Sequence, residues 1–553
     1  MQKTLSQMLL AFLLASLFLS ACGTATPAPI SPTQTGTAPA TATPAPTMTT
    51  TPLPPSPTAT PTRVPLQDFM KGISYVQWDR GGFTSQASDR LLGQSIPQTG
   101  ATWIALIVTC NQATIDSTDI TCAHGPTDEE TIHAIQAAHA AGLRVMLKPH
   151  LDLSEDFSHW RGEIGSNFNA EQWQAWFVSY TAYIAHFASL AQSQDVDAFV
   201  VGTEMVTPST HDAEWRAIIA AVRAEYAGPL TYAAIDNEFS LTWWDALDMI
   251  GVDAYYPLTD SAAPTREQMV AGWQSAAGKL EALSARWDKP ILFTEIGYQS
   301  MDRVNITPTG VTWANPLDLQ EQADCYAAAF EVFSGKPWWR GAFWWVVDTN
   351  AAQGGGYDKG FSPLGKPAED VLRQYYGAPA RPQPAALPAL DPAAVQQVEW
   401  VYDDSLRPGW EDWSWGVQVD LQNTDHPQDG SRAMSLTYHD NEWDTLSLHH
   451  EALDLSGFTW LEFYIWSETE DYAALRVELI SDADLSYHSQ PLIFDPAYVE
   501  GGQRLAGQWQ RVLIPLSMLG PDHPRITRLN FFLDGQFGTT VQLDQIRFLQ
   551  MDP

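Results

Sequence analysis

The chain of 553 residues is about three times as long as one ordinary domain, so two or more folded units are expected. Its 29 Lys and Arg against 65 Asp and Glu give a net charge of -36, and such a surface repels the phosphates of nucleic acids and anionic lipid headgroups. Hydrophobic residues form 45% of the chain and exclude a wholly disordered protein, while four cysteines exclude a disulfide scaffold. The 23 tryptophans are an excess that needs an explanation.

The N-terminal segment has the pattern of an export signal. Residues 8–19 are almost purely apolar, too few for a membrane span of about 20 residues and typical of the hydrophobic region of a signal peptide. The sequence Leu-Ser-Ala-Cys at 19–22 then resembles the bacterial lipobox, in which the cysteine is lipidated and becomes the first residue of the mature protein. We therefore expect residues 1–21 to be a lipoprotein signal peptide and Cys22 to anchor an exported protein at the cell-surface membrane. Ordinary signal cleavage with an incidental Cys22 is the alternative.

Residues 22–65 are expected to form a stalk that begins with the lipidated cysteine. Between 23 and 65 there are 14 threonines and 12 prolines. Such a composition cannot bury a core, and its prolines favour extended polyproline II structure. At about 3.1 Å per residue, the stalk would hold the folded domains on the order of 100 Å from the lipid.

The next region alternates short β-type runs with amphipathic helical stretches. Most of the runs are continuously apolar, which is typical of parallel strands covered on both faces. Eight runs are predicted as strands, at 72–78, 102–108, 144–152, 198–204, 230–236, 249–257, 291–298 and 341–348. The clearest helical stretches are 128–141, 170–191, 212–226, 266–287 and 318–333. This rhythm predicts an α/β fold, a (β/α)8 TIM barrel over residues 66–377. An open doubly wound sheet is the alternative, but no Gly-x-Gly-x-x-Gly motif follows the first strand.

Two of the predicted strands end in a glutamate. Glu204 ends the fourth strand and Glu295 the seventh, and in TIM barrels the chemistry lies at the C-terminal ends of the strands. These strands lie on roughly opposite sides of the barrel mouth, so the two side chains can face each other across it. Glycoside hydrolysis uses such a pair, at about 5–5.5 Å for retention of configuration and farther apart for inversion. The alternative for each glutamate alone is a salt-bridged residue of the rim.

The motifs around these glutamates resemble a known group of enzymes. A glutamate ending strand four, a second within Thr-Glu-Ile-Gly-Tyr at 294–298 and an aromatic strand eight are similar to the retaining glycoside hydrolases of clan A. Within that clan, Gly-Thr-Glu-Met at 202–205, Asp-Ala-Tyr-Tyr-Pro at 253–257 and Phe-Ser-Pro-Leu-Gly-Lys-Pro-Ala at 361–368 resemble glycoside hydrolase family 113. The characterised enzymes of that family are mainly endo-acting β-1,4-mannanases. The resemblance covers residues 68–377.

The resemblance implies a role for each glutamate. Glu204 becomes the acid/base, with a raised pKa, and Glu295 becomes the nucleophile that forms a covalent glycosyl-enzyme. One departure concerns Thr203, because many clan members have an asparagine there that binds the sugar 2-hydroxyl. Either that contact is lost or another group, such as Asn237, supplies it.

Aromatic residues and a histidine at the strand ends are the expected substrate-binding residues. Tyr255 or Tyr256 would hydrogen-bond Glu295, unless they only fill the barrel. Trp344 or Trp345 would stack on a sugar, and since adjacent strand residues point opposite ways, the other would pack on helices. The histidine that ends strand three would contact a sugar hydroxyl or the acid, or else be a satisfied rim histidine. The full set is His150, Tyr255, Tyr256, Tyr298, Trp344 and Trp345.

The cysteines indicate at most one disulfide. Cys110 and Cys122 flank the loop after strand two, and export permits a disulfide between them, the alternative being two separate thiols. Cys325 lies in a helical stretch and is expected to be buried and inert. No His-Glu-x-x-His, paired Cys-x-x-Cys or Gly-Lys-Ser/Thr motif occurs, so we expect no metal in the barrel and no catalytic cofactor.

The C-terminal part, which follows a Pro/Ala-rich linker at 378–394, has a different sequence pattern. Residues 395–553 hold about ten short β-type runs without a long helical pattern, which predicts an all-β sandwich or jelly roll. Tyr-Asp-Asp at 402–404 and Leu-Asp-Gln-Ile at 543–546 resemble galactose-binding-like carbohydrate modules.

The resemblance of this C-terminal part carries two expectations. Carboxylates near both termini of such modules often hold a structural Ca2+, which implies a calcium site near Asp403 and Asp544. Exposed tryptophans could form a stacking surface for sugars, the alternative being packing in the core or between domains. The four tryptophans concerned are Trp410, Trp413, Trp415 and Trp443.

These features together predict a surface-anchored retaining glycoside hydrolase that cleaves β-1,4-linked polysaccharide, preferably an endo-β-1,4-mannanase. Its partners would be the polysaccharide and, through lipid alone, the membrane; it would bind no nucleic acid and act as a monomer. A non-catalytic lipoprotein that captures polysaccharide and a clan A glycosidase acting on glucan or xylan are the alternatives. Because aromatic faces bind neutral sugars, the tryptophan excess is expected at the barrel rim and on the C-terminal module.

Overall fold

The computed structural model of the protein describes residues 69–381 and 394–551 with short gaps. The gaps are 79, 313, 350–353, 356–357, 439–443, 469–474, 482–491, 494–497, 501–504, 517–518, 520–524 and 534–539. The predicted signal peptide, Cys22, the stalk, Trp443 and most of the predicted linker lie outside the described residues. Within the described part of the chain, no helix is both long and apolar enough to cross a membrane.

Eight parallel strands close into a barrel. Each strand pairs with its neighbour in the sequence, and β8 pairs with β1. The strands are β1 (Met70–Val76), β2 (Trp103–Gln112), β3 (Arg144–Leu153), β4 (Ala198–Thr203), β5 (Leu230–Ala234), β6 (Ile250–Asp253), β7 (Ile291–Ile296) and β8 (Trp339–Val347). All eight predicted strands are present with shifted ends, and the predicted TIM barrel is confirmed.

Helices follow most of the barrel strands. Three of the long helices begin with a capping box, at Thr127, Asn169 and Thr265, which satisfies first-turn backbone N–H groups. The helices are α1 (Gln86–Arg90), α2 (Ile96–Gln98), α3 (Asp128–Ala140), α4 (Ala170–Ser193), α5 (Asp212–Glu225), α6 (Arg266–Trp287), α7 (Leu319–Phe333) and α8 (Pro367–Tyr376). Short 3₁₀ turns lie at Gly82–Thr84, Arg161–Glu163, Pro208–Thr210, Asp236–Glu238 and Trp244–Ala246, and a π-helical turn at Leu91–Ser95. The last two 3₁₀ turns connect β5 to β6, so that unit lacks a long helix.

Many tryptophans pack in the barrel core rather than at its rim. Trp215 stacks on Trp243 with ring centroids 5.0 Å apart, and Trp273 lies parallel to Phe293 at 6.2 Å. Large rings such as these fill the space between strands and helices and bury much apolar surface. Sugar binding is therefore the wrong explanation for the six fully buried tryptophans, Trp176, Trp215, Trp243, Trp244, Trp273 and Trp344.

A disulfide closes the loop after β2. Cys110 lies within that strand and is bonded to Cys122, which confirms the predicted pair. Next to it, Asn111 and Thr121 exchange two backbone hydrogen bonds of 2.7 and 2.8 Å. The remaining described cysteine, Cys325, is free and buried in α7, as predicted.

The C-terminal region is built from antiparallel strands in two sheets, and apolar side chains of both sheets form one core. One sheet holds β9 (Val395–Asp403), β10 (Ser405–Leu406), β12 (Gln418–Asn423), β13 (Ala433–Thr437), β15 (Trp460–Ser467), β18 (Gln510–Pro515) and β20 (Thr540–Met551). The other holds β11 (Trp410–Asp412), β14 (Thr445–Asp454), β16 (Leu475–Ile480), β17 (Leu492–Ile493) and β19 (Arg525–Leu533). The predicted all-β architecture is confirmed.

The residues around Asp403 and Asp544 do not fit a calcium ion. Asp403 pairs with Arg407 and accepts a hydrogen bond from Gln545 Nε2 at 3.2 Å. The two oxygens of Asp544 accept from three backbone N–H groups at 2.8–3.4 Å. Calcium needs several oxygen ligands around one point, whereas these carboxylates face N–H donors. We therefore propose no calcium there, and the resemblance to galactose-binding-like modules stays a prediction.

Candidate active site

Glu204 lies immediately after β4, at the mouth of the barrel. Its backbone is in the left-handed region (φ 55°), which non-glycine residues seldom adopt. Its N–H donates to the carbonyl of Ala233 at 2.8 Å, and its own carbonyl accepts from the N–H of Val206 at 3.0 Å. The side chain is partly exposed, so a substrate can reach it.

Glu295 lies in β7 and has a hydrogen-bond donor on each carboxylate oxygen. The residue is 5% exposed. The Tyr255 hydroxyl donates to Oε2 at 2.8 Å, and Lys148 Nζ donates to Oε1 at 2.5 Å. Two such donors stabilise the ionised form of a carboxyl group and restrict its rotation. Of the two tyrosines predicted for this contact, Tyr255 makes it.

A second carboxyl group shares the same lysine. Lys148 Nζ donates to Asp253 Oδ1 at 3.3 Å, and the Thr294 hydroxyl donates to that oxygen at 2.7 Å. Burial and the neighbouring Glu295 carboxylate raise the pKa of Asp253 well above its usual value. The lysine therefore lies between two acids that belong to adjoining strands.

His150 is held by a buried arginine. Arg161 NH1 donates to His150 Nδ1 at 3.1 Å, which assigns the ring hydrogen to Nε2 because arginine cannot accept. That Nε2 lies 3.6 Å from Glu295 Oε1. Burial lowers the pKa of His150 well below its usual value, with Arg161 and Lys148 adding to the effect, so the ring is neutral. Arg161 is anchored in turn by Asp152, at 2.5 Å.

The environment of Glu204 differs from that of Glu295. Burial raises the pKa of Glu204 to about 7, the charge of Glu295 adds to the increase, and Arg161 and Lys148 oppose it. A carboxyl group with this pKa is largely protonated below pH 7 and can both give and accept a proton near neutrality. The structure thus brings together one acid suited to proton transfer and one carboxylate held by a cation and a hydroxyl.

Trp345 provides a flat aromatic surface beside His150. The two rings are parallel, with centroids 6.1 Å apart and an interplanar angle of 7°. The indole is partly exposed and packs against a small apolar cluster that includes Val76, Val346 and Phe361. An exposed aromatic face next to the carboxyl groups can bind the apolar face of a sugar ring.

Three predicted substrate-binding residues point elsewhere. Trp344 is fully buried and stacks on Tyr326 at 3.7 Å, because adjacent residues of β8 face opposite sides of the strand. Tyr298 is also fully buried on the helix side, with its ring 6.5 Å from that of Tyr326. Trp344 is therefore the tryptophan of the pair that packs on helices, and Tyr298, also 0% exposed, offers a sugar no free surface. Tyr256 donates to Asp236 Oδ1 at 2.5 Å and not to the nucleophile candidate.

The predicted contact with the sugar 2-hydroxyl stays a prediction. Asn237 lies in the 3₁₀ turn after β5 and is exposed. Thr203, which precedes Glu204, is buried, and its hydroxyl has no hydrogen-bond partner among the described residues.

Lys148, Arg161 and Asp253 belong to this network, but the sequence reasoning assigned no role to them. Lysine in an otherwise apolar strand is rare unless it is paired, so Lys148 did carry a signal. Arg161 lies in a loop that no periodicity marks. Asp253 lay within the sixth predicted strand, at 249–257, but served only as part of a family motif.

A cluster of acids on the loop before α7 has the spacing of metal ligands but serves the loop. Oxygens of Asp302, Asp318 and Glu321 lie within 4.8 Å of one another. Both oxygens of Glu321 accept from N–H groups of Arg303 and Asn305 at 2.7–3.0 Å. Asp318 accepts from the Glu321 N–H at 2.8 Å and caps the helix. Both oxygens of Glu321 and one oxygen of Asp318 therefore already accept hydrogen bonds that hold the loop and cap the helix.

Comparison with known proteins agrees with the geometry of the site. The sequence model of Glycoside Hydrolase Family 113 (GH113) matches residues 74–366, more than half of the chain. Among curated proteins no sequence matches the chain.

Three solved GH113 structures are similar to the barrel. A complex of a GH113 β-1,4-mannanase is 29% identical over 57% of this chain and 100% of that chain, with a TM-score of 0.51. The GH113 β-mannanase AaManA from Alicyclobacillus acidocaldarius, in complex with ManMIm, is 29% identical over 56% of this chain and 98% of that chain, with a TM-score of 0.50. A further GH113 β-1,4-mannanase structure has 29% identity, covers 57% of this chain and 100% of that chain, and has a TM-score of 0.50. The protein is a glycoside hydrolase, and its chain belongs to glycoside hydrolase family 113.

Proposed function

We propose that this enzyme is a retaining endo-β-1,4-mannanase in which Glu204 is the acid/base and Glu295 the nucleophile. The observation that carries the proposal is the contrast between the two environments. One carboxyl group has its pKa raised to about 7, and the other is held by a lysine and a tyrosine. A double displacement requires one protonated and one ionised carboxyl group. The similar solved structures described as β-1,4-mannanases support mannan as the substrate.

In the first step, Glu295 attacks the anomeric carbon while Glu204 gives its proton to the glycosidic oxygen. The bond between that carbon and oxygen breaks, the leaving sugar departs as an alcohol, and an ester forms on Glu295. Lys148 and Tyr255 hold the attacking carboxylate, which lowers the orientational cost of the attack. Trp345 supports the sugar ring from one side.

In the second step, water hydrolyses the ester. The charge of Glu295 contributes to the raised pKa of Glu204, so esterification removes that contribution. Glu204, ionised by the first step, now accepts a proton from water, whose oxygen attacks the anomeric carbon and releases the Glu295 carboxylate. Two inversions at this carbon leave the β configuration unchanged.

The substrate and stereochemistry are tested by incubating the protein with β-1,4-mannan, glucomannan, xylan and mixed-linkage β-glucan. We expect mannan and glucomannan to give a ladder of oligosaccharides whose new reducing ends are first β-configured by NMR. Cleavage of xylan or β-glucan alone would replace mannan as the substrate. Release of single sugars from chain ends would contradict endo action, and α-configured products would contradict the two-step mechanism.

We also propose that the C-terminal region binds neutral polysaccharide through two surface tryptophans. Trp413 is 45% exposed and Trp415 is 43% exposed. Trp410, by contrast, is 5% exposed and packs in the core, which is the alternative stated for these tryptophans. Trp413 lies flat on His449, with centroids 3.6 Å apart and an interplanar angle of 2°, so its ring is held in a fixed orientation.

The side chains next to Trp413 suit sugar hydroxyls. Leu448 and Leu529 point into the core, so the alternating residues of β14 and β19 lie on the outer face of the sheet. There His449 is paired across the strands with Arg528, whose guanidinium lies 5.2 Å from the centre of the Trp413 ring. An aromatic face flanked by fixed polar groups is suited to a neutral sugar.

Replacement of Trp413 by alanine is expected to weaken retention on mannan by about tenfold, because one stacked aromatic face is lost. The measurement is affinity electrophoresis in mannan gels, with Glu295→Gln in every protein to stop hydrolysis. Trp466→Ala is the matched control, since Trp466 also stacks on a histidine, His426, at 4.8 Å, but in the other sheet. Equal retention of Trp413→Ala and the parent protein, or equal losses in both variants, would contradict the proposal.

We further propose that lipid on Cys22 anchors the enzyme at the cell surface, supported by the lipobox-like sequence and the Thr/Pro-rich stalk. Cys22→Ala is expected to abolish incorporation of labelled palmitate in a bacterial host and to move the enzyme from the membrane fraction to the soluble fraction. Cys325→Ala, which changes a buried free thiol, is the control and should remain membrane-bound. Palmitate on the Cys22→Ala protein would show that the anchor lies elsewhere.

A further inference from the structure

A buried lysine is the cation in closest contact with Glu295 in the described part of the chain. Lys148 is 0% exposed, and its Nζ donates to Glu295 Oε1 at 2.5 Å and to Asp253 Oδ1 at 3.3 Å. Removing an ammonium group from water is unfavourable unless anionic partners compensate for it. The position of this lysine is therefore explained by its two acids rather than by packing.

Three strands hold the lysine and its partners in place. Asp253 of β6 and Glu295 of β7 lie opposite each other in the register, and Lys148 reaches both from β3. Thr294 donates to Asp253 Oδ1 at 2.7 Å and holds that carboxyl group towards the lysine. The other oxygen, Asp253 Oδ2, has no hydrogen-bond partner among the described residues, so the lysine and the threonine orient the side chain.

The other groups around Glu295 do not duplicate the lysine. His150 is neutral, and its Nε2 lies 3.6 Å from Glu295 Oε1. Tyr255 is a neutral donor to the opposite oxygen, Glu295 Oε2. Arg161 contacts His150 and pairs with Asp152 at 2.5 Å. Glu204 and Asp253, the two remaining acids, bring no positive charge to Glu295.

We propose that Lys148 is a positioning residue for the nucleophile, which keeps Glu295 ionised and fixes its Oε1, and that Asp253 holds the lysine throughout the reaction. This inference rests on the proposed function, because it assigns the attack to Glu295. When Glu295 becomes an ester, its charge disappears and the buried ammonium group loses one partner. Asp253 is then the carboxyl group that still faces it, so the lysine keeps an acid beside it in both states.

Replacement of Lys148 by methionine is expected to lower kcat/KM for mannan by about 10²–10³-fold, the usual effect of removing one fixed electrostatic donor. The acid limb of the kcat/KM profile reports ionisation of the group that must be deprotonated in the free enzyme. Because loss of a neighbouring cation makes that ionisation harder, the limb should move to higher pH by at least about one unit. If the methionine variant does not fold, Lys148→Gln, which is also uncharged, should give the same shift.

Lys148→Arg keeps a cation at this position and is the rescue variant. Its acid limb should lie within about half a unit of that of the wild type even if turnover is slower, because the charge next to the carboxylate is retained. If the acid limb of Lys148→Arg were shifted as far as that of Lys148→Met, the result would contradict a role based on the charge of Lys148.

Lys366→Met is the matched control for loss of a buried lysine. Lys366 is also fully buried and paired with a buried acid, Asp358, at 2.9 Å, but it lies next to α8. Its replacement is expected to lower the melting temperature and leave the acid limb in place. An unmoved limb in Lys148→Met, or an equal movement in Lys366→Met, would overturn the inference. Failure of the proposed function would show differently, since the wild type itself would then leave mannan and glucomannan uncut.

Discussion

Replacement of Glu295 by glutamine is expected to lower kcat for mannan by about 10⁴-fold or more, because an amide of the same shape cannot form the glycosyl ester. Reducing ends released from mannan measure the loss. A second measurement is the mass of protein treated with 2-deoxy-2-fluoro-mannosyl fluoride, which traps the ester. The wild type should gain one fluorosugar on the peptide that contains Glu295, and the variant should gain none.

Glu369→Gln is the control for this substitution. Glu369 is another buried glutamate, paired with Arg373 at 2.7 Å on α8. Its loss should lower the melting temperature without blocking the ester. If the Glu295→Gln protein kept activity within about tenfold of the wild type, or if the fluorosugar were found on another residue, Glu295 would not be the nucleophile.

Replacement of Glu204 by alanine is expected to reduce mannan cleavage by about 10²–10⁴-fold, the usual contribution of a general acid and base. With a dinitrophenyl β-glycoside as the substrate, the rate of the first step should fall much less, because that leaving group needs no proton. Added azide should then speed the second step and give a β-glycosyl azide, because azide attacks the ester without a general base. If Glu204→Ala lost equal activity on mannan and on the dinitrophenyl glycoside, and azide had no effect, the acid/base role would belong to another residue.

The pH dependence of the wild type follows from the same group. In the proposed mechanism Glu204 must be protonated to start the reaction, and its pKa is raised to about 7. The proton is present below that pH and is lost as the pH rises through it, so kcat/KM should fall above about pH 7. The alkaline limb should be absent from the Glu204→Ala profile measured with the dinitrophenyl glycoside. A wild-type limb near pH 4–5 would mean that the carboxyl group is not perturbed.

The barrel and its two glutamates were predictable because both depend on local pattern. An apolar run of five to nine residues predicts a covered parallel strand, and eight such runs with helices between them leave few other folds. Once the strands are counted, a glutamate at the end of a strand must lie at the mouth. Glu204 and Glu295 therefore followed from strand number and position, without knowledge of any contact.

The partners of these glutamates were not predictable in the same way. Lys148 contacts Asp253 and Glu295, which lie more than a hundred positions farther along the chain, so the contact exists only after the barrel closes. Arg161 reaches His150 from the short 3₁₀ turn at Arg161–Glu163, which no periodic pattern in the sequence predicts. The surroundings of the predicted calcium site could not be predicted for a related reason, since the N–H groups of Gln428 and Asp429, more than a hundred positions earlier in the chain, donate to Asp544.

The direction of a side chain is a property that the sequence predicts only in part. The alternation of β8 required that Trp344 and Trp345 point opposite ways, but only the closed barrel shows that Trp345 faces the mouth. The sequence alone predicted the fold class, the pair of glutamates and the enzyme family, because these depend on short motifs and on the order of the strands. Which side chains hold Glu295, and which tryptophans are exposed, depend on register, closure and burial. Those are properties of packing between distant segments, and only the tertiary structure could decide them.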